Sequence, residues 1–246
     1  MSIENARRNS LELMRVMEDL GTAAGSGTIT RAYVTARNAL KQNLELADVT
    51  AQKRAAKETL THLREGVRAA AREAFADAWK LGAAQAEHDA AEFEIEMELP
   101  TVRERDAMLN RATELVEQET KKQTDALWLL ILLGFAANAR LIFGNLYLNP
   151  APALKVAKFW GGALMNQTYD RLLVERAKQA GLRVGRMAVL GSNAHHTQTC
   201  LNVNGQIVGL DEDFVLTGTP RYAGRMRNPP FHDYCYTTVT IVRIGS

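Results

Sequence analysis

The sequence predicts an α+β protein: a long, mainly helical N-terminal part followed by a small C-terminal α+β domain with short strands. Three observations point there. Residues 29–97 are crowded with Ala, Glu, Lys, Arg and Gln, all strong helix formers. No proline interrupts the chain between Pro100 and Pro150. Beyond Gly181 the hydrophobic period changes, and short β-branched or alternating runs separated by Gly, Asn and Pro take over. The domain boundary is placed at Asn149-Pro150-Ala151-Pro152, where a helix breaks, giving a helical assembly region over 1–150 and a C-terminal domain over 151–246.

Composition narrows the classes. Two cysteines in 246 residues exclude a disulfide-stapled secreted scaffold. A formal net charge of +2 argues against holding nucleic acid by charge alone, and 24% charged residues are ordinary for a globular chain. The near-neutral total hides an asymmetry. Residues 1–125 carry 18 Lys+Arg against 22 Asp+Glu, a net of −4; residues 126–246 carry 12 against 6, a net of +6.

Each element has a local reason. The N-terminus has an amphipathic stretch (Leu11, Leu13, Met14, Met17, Leu20) and no apolar signal region, so a cytoplasmic origin is expected. Gly21 to Thr28 is small and flexible, an expected break. Asp48 is placed to cap the helix that follows, with His62 and His88 facing solvent among charged neighbours. Pro100-Thr101-Val102-Arg103-Glu104 is a capping box that opens a helix able to run as far as Pro150, roughly 70 Å, with Gly134 and Gly144 as weak points.

Within that helix Ala126 to Ala139 is almost wholly apolar, and the run continues past Arg140 to Leu148. Asn138, Arg140 and Asn145 interrupt it, which favours burial against copies of the chain or other proteins over entry into a membrane. Leu154 to Ala180 reads as a further helix, weakened at Gly161-Gly162 and ended by Gly181. Strands are expected at Arg186–Leu190, Gln206–Leu210 and Thr237–Ile244.

The stretch His195 to Cys235 carries the chemistry. His196-x-x-x-Cys200 and His232-x-x-Cys235 are two pairs, each spaced to bite one ion, and together they make a Cys2His2 set for zinc. A turn at Asn204-Gly205 suits a hairpin that folds one pair towards the other. A small domain with a thin core gains from such a staple. The same residues also read as a polar loop, as buried free thiols, or as a disulfide pair.

This segment resembles the C-terminal signature of the Mu F-like head-morphogenesis proteins, minor head proteins of tailed phages. Members carry a Cys-x-x-Cys, a turn with Asp or Asn before Gly, and a closing Pro-Pro-x-His-x-x-Cys-Arg. Here Thr197 and Cys200 fall on the first motif, Asn204-Gly205-Gln206 on the turn, and Pro229-Pro230-Phe231-His232-Asp233-Tyr234-Cys235-Tyr236 on the last. Thr197 stands where members have the first cysteine and Tyr236 where they have arginine; the adjacent His196 is the candidate substitute ligand. The likeness covers about residues 177–242. It implies a structural protein of the virion head, made in the host cytoplasm. Portal and capsid proteins, and further copies of the chain, are its implied partners in head morphogenesis or genome delivery.

Other readings stand beside it. Arg221, Arg225 and Arg227 either face packaged DNA through its phosphates or pair with Asp211, Glu212 and Asp213 in a solvated loop. Residues 126–148 would enter a bilayer if the chain were a membrane-active ejection protein. No phosphate loop, nucleophile elbow or His-Glu-x-x-His appears, so no enzyme is expected. A metal-dependent hydrolase or nuclease would have to draw on His195, His196, Asp211, Asp213 and His232.

Overall fold

Long helices come first in the computed structural model and short antiparallel strands last, as the α+β expectation requires. The structure describes residues 4, 26–43, 48–133, 148–191, 196–232 and 235–244. In chain order the helices are α1 (Ser26–Asn43), α2 (Val49–Phe93), α3 (Val102–Leu132) and α4 (Ala151–Tyr169). A π turn (Asp170–Val174) and α5 (Glu175–Gln179) follow. The C-terminal part is β1 (Val184–Leu190), α6 (Gln198–Val203), β2 (Ile207–Val208), β3 (Phe214–Leu216), a 3-10 turn (Pro220–Tyr222), β4 (Gly224–Met226) and β5 (Thr237–Arg243). Two compact units result: Thr22–Ala74 with Leu109–Ala157, and Met1–Gly21 with Phe75–Met108 and Lys158–Ser246. The change from helix to strand comes after Gly181, whereas the packing units are discontinuous in sequence, because α2, α3 and α4 each contribute to both.

The helical unit is an up-down-up bundle. Its buried residues recur at three- and four-residue spacings: Ile29, Tyr33, Ala36 and Leu40 on α1, and Ala56, Leu60, Leu63, Val67 and Ala70 on α2. Leu109, Ala112, Val116, Leu127 and Ile131 continue the pattern on α3. That is the stripe that lets helices interlock side by side. On the α2–α3 seam Arg64 meets Asp125, Arg68 meets Glu117 and Arg72 meets Asn110, so the two run antiparallel. Tyr33 donates to Thr120 Oγ1 (3.1 Å), and Arg64 Nε donates to Thr124 Oγ1 (2.6 Å).

The helix signals read from sequence operate as expected. Asp48 accepts from the amides of Thr50 (3.0 Å) and Ala51 (3.1 Å). The amide of Thr101 donates to Glu104 Oε2 (3.0 Å), and the amide of Glu104 donates to Thr101 Oγ1 (3.3 Å). His62 and His88 are exposed. Of the break expected at Gly21 to Thr28, residues 26–28 already belong to α1, and 21–25 lie outside the described residues. Gly134 and Gly144, with most of the apolar run, lie outside the described residues. Among the described residues no helix is long and apolar enough to cross a membrane.

The second unit is organised by a three-stranded antiparallel sheet in the order β2-β1-β5. Val184 faces Arg243, Arg186 faces Ile241 and Leu190 faces Thr237 across β1–β5, and Arg186 also faces Val208 of β2. The expected glycine weakness at Gly161-Gly162 does not interrupt α4; the irregularity comes at Asp170–Val174 instead. That wider turn allows three consecutive residues, Leu172, Leu173 and Val174, to be buried. The helical end closes at Gly181 (φ 63°), where the Gly181 amide donates to Lys178 O and the Leu182 amide to Ala177 O. Glu94 (φ 55°) ends α2 in the same way.

One apolar cluster gathers Ala86, Ala90 and Phe93 of α2 with Tyr169, Leu173, Val184 and Ile241. Another gathers Ala188, Val203, Val208, Phe214, Leu216, Phe231 and Val239. Between Val184 and Ala188 on β1 sits Arg186, fully buried. Its Nη1 donates to Arg227 O (2.7 Å) and Asn228 Oδ1 (2.9 Å), and its Nη2 donates to Glu212 O. Asp170 Oδ1 lies 3.6 Å from the same guanidinium, and the ring of Phe214 lies 5.3 Å away. This buried cation ties the π turn, the β3–β4 hairpin and its flanks to β1, and the sequence reading did not single it out.

Edge strand β5 is closed by helical side chains. Asn166 Oδ1 accepts from the Val239 amide (3.2 Å) and Tyr169 Oη from the Ile241 amide (2.9 Å). Tyr169 in turn donates to buried Asp89 Oδ2 (2.6 Å), which also accepts from Thr240 Oγ1 (2.9 Å). Two amides that would otherwise invite another strand are thereby satisfied.

Candidate metal centre

Three short pieces of chain bring the site together. Thr197 is extended (φ −75°, ψ 160°) and caps α6, its Oγ1 accepting from the Cys200 amide. That cap starts the helix so that Thr199, Cys200 and Val203 turn inward, while Leu201 is half exposed. The Asn204-Gly205 turn then pins α6 to the sheet. Gly205 has φ 78°, its amide donates to Ala188 O (2.8 Å), and Asn204 Oδ1 accepts from the Leu190 amide (3.1 Å). A non-glycine residue would be strained at Gly205.

The second piece is Pro229-Pro230-Phe231-His232, with a cis bond between the prolines. Phe231 is buried edge-on to Phe214, ring centroids 5.8 Å apart, which anchors the segment below the β3–β4 hairpin. His232 follows, itself buried, with the Tyr222 ring 5.1 Å from its own. The third piece is Cys235, just before β5, whose amide donates to His232 O (3.2 Å).

Cys200, His232 and Cys235 converge: their ligand atoms all lie within 4.8 Å of one another and could hold a metal ion. Cys200 Sγ is 3.8 Å from Cys235 Sγ and 2.6 Å from His232 Nε2. Thr197 Oγ1 is 3.0 Å from the same Nε2, and Thr237 Oγ1 lies 3.3 Å from Cys235 Sγ. The Cys200 thiol is pulled down to about 4, first by the hydrogen bond that Cys235 donates, then by His232 and Thr197. Cys235 is pushed up by the Cys200 sulfur beside it and by burial. The two sulfurs therefore hold one proton between them, and the pair offers a thiolate to an electrophile or cation.

The donor set fits a tetrahedral ion. Two thiolates at about 2.3 Å from zinc stand about 3.8 Å apart, the separation found here. A bound imidazole nitrogen would stand about 3.5 Å from each sulfur, so His232 would have to withdraw from Cys200 by about 1 Å.

Of the four residues expected from the sequence, Cys200, His232 and Cys235 meet, and His196 is not part of the group. Side chains on neighbouring extended residues point to opposite sides. Thr197 takes the inward direction, and alternation of this kind accounts for half-buried His196, one residue earlier, standing outside the group. Tyr222 and Thr237, which complete the surroundings, were missed. Only the position of Thr237, two residues beyond Cys235, hinted at it.

The hydrolase set is not brought together in this group, which contains no carboxylate. Asp211 instead accepts from Lys178 (2.7 Å) and lies 3.9 Å from Arg227. The Lys178 hydrogen bond holds its carboxyl below the ordinary range. Asp213 is exposed, and His195 lies outside the described residues. Arg227 is half-buried between Asp170 (3.3 Å), Glu175 (3.3 Å) and Asp211, whereas Arg221 and Arg225 are exposed. Comparison of the chain with protein-family models, curated proteins and solved structures finds no match.

Proposed function

We propose that the chain is a structural minor head protein of a tailed bacteriophage. It would sit at the portal vertex or capsid interior and act in head morphogenesis or genome delivery. The observation that supports this reading is the convergence of Thr197, Cys200, His232 and Cys235. These are the positions on which the Mu F-like cysteine and histidine motifs fall, and motifs 35 positions apart in the chain have no local reason to meet.

Zinc is the metal this reading assigns. Two thiolates and an imidazole in a small oxygen-poor site favour a borderline-soft ion over magnesium or calcium. Bound there, zinc would cross-link α6, the segment leading to His232 and the start of β5. The protein groups do the rest: Thr197 sets the start of α6, Phe231 anchors the histidine segment, and Thr237 orients Cys235. The outcome is a stiff small domain, with no bond made or broken in a substrate.

The remaining surfaces suit assembly. Leu129, Leu132 and Leu133 are exposed at the end of α3, an apolar face for copies of this chain or for portal and capsid proteins to cover. Arg221 and Arg225 are free of carboxylates among the described residues and would meet packaged DNA phosphates, whereas Arg227 is already engaged. Mass spectrometry and cryo-electron microscopy of purified virions test the reading. The chain is expected in the head fraction with density at the portal vertex or inside the wall. A chain confined to host lysate and absent from heads overturns the proposal.

A further inference from the structure

Thr197 faces the cluster, and it brings the wrong donor. Its hydroxyl is neutral, already accepts from the Cys200 amide and lies 3.0 Å from His232 Nε2. Structural zinc sites close with four Cys or His ligands, whereas sites with three protein ligands keep a fourth position for an outside molecule. Here the described residues supply three, with no carboxylate and no His196 among them. The burial is lopsided too: Cys200 is 1% exposed and His232 6%, while Thr197 and Cys235 are only half-buried. Solvent thus comes nearer to Thr197 and Cys235 than to Cys200 and His232.

We infer that the centre is a three-ligand site of Cys200, His232 and Cys235. Its fourth position, beside Thr197, is held by water and takes a small soft donor such as a low-molecular-weight thiol. This rests on the metal-holding part of the proposed function and adds to it an exchangeable ligand. Thr197 bounds that position and caps α6; it does not coordinate.

The test uses the full chain loaded with cobalt(II) as a spectroscopic probe, with a phosphine rather than a thiol as reductant. Adding 2-mercaptoethanol to the wild type is expected to shift the ligand-field bands and raise the thiolate-to-cobalt charge-transfer absorbance by about half, as two thiolates become three. Thr197→Cys is expected to show the raised absorbance without added thiol and no further response to it. Should that variant fail to fold, the wild-type titration decides alone. A wild-type centre unresponsive to thiol, made responsive by His196→Ala, overturns the inference and makes His196 the fourth ligand. Absence of any cobalt spectrum dependent on Cys200 and Cys235 overturns the metal reading beneath it. Neither result touches the virion placement, which the head fractions decide separately.

Discussion

Cys200 Sγ and Cys235 Sγ lie 3.8 Å apart, one on the first turn of α6 and the other at the foot of β5, with His232 Nε2 2.6 Å from the first. With no metal bound, this packing pulls the Cys200 thiol down and pushes Cys235 up, so that the two sulfurs hold one proton between them. A cation that replaces the proton turns the same packing into cohesion.

Removal of a metal from this group is expected to lower stability. At a free zinc concentration 1,000-fold above the dissociation constant, binding stabilises by about 4 kcal/mol, which in a chain of this size is roughly 10 °C in melting temperature. Thermal melts with and without a chelator measure it. Cys235→Ser is expected to melt at the chelated temperature whatever the zinc level, and a wild-type melt indifferent to chelator contradicts the centre.

Tyr169→Phe removes the hydroxyl that joins Asp89 to the Ile241 amide. The amide is then buried without its acceptor, at a cost of about 1–3 kcal/mol. Urea unfolding is expected to show a lower midpoint with an unchanged slope. An unchanged midpoint would mean that a water replaces the hydroxyl.

Asp89 gives a pH dependence with a defined sign. Burial raises its carboxyl above the ordinary value, against the lowering pull of Tyr169, Thr240 and His88. The folded state therefore holds this proton more tightly than the unfolded one. Its contribution is fully present below the ordinary aspartate value and lost as pH rises through the raised one. Asp89→Asn does not titrate, so its urea midpoint minus that of the wild type should climb through that acid window and then level off. A pH-independent difference would contradict the assignment.

Gly82→Ala tests the close crossing of α2 and α4. A Cβ at Gly82 would stand 2.4 Å from Met165 O and 3.0 Å from Thr168 Cβ. Backbone cannot yield as a flexible side chain does, so an overpacking cost of about 1–3 kcal/mol exceeds the helix-propensity gain of up to about 1 kcal/mol. The melting temperature should fall by several degrees; a rise would show that α4 can slide away from α2.

The local signals were legible because each needs only a few consecutive residues. Asp48 and the Thr101–Glu104 box start helices wherever the following residues favour one, and Gly181 accepts a conformation that most residues resist. The β3–β4 hairpin was not read, because its strands are three residues long and one of them is wholly exposed. No alternation develops over so short a run. Arg186 was invisible for a different reason: an arginine in a strand is ordinarily an exposed residue, and only its neighbours in space reveal the carbonyls that justify its burial.

By itself the sequence determined the class of the fold, the order of helices and strands, and the identity of three residues able to hold an ion. Those follow from composition, period and donor chemistry, which are properties of the chain alone. Only the tertiary structure decided that Thr197 rather than His196 faces Cys200 and His232. It also decided that Arg227 is tied up by carboxylates, and that residues 75–108 pack with the C-terminal strands. Direction and proximity depend on backbone geometry and on partners far away in sequence, and a linear spacing contains neither.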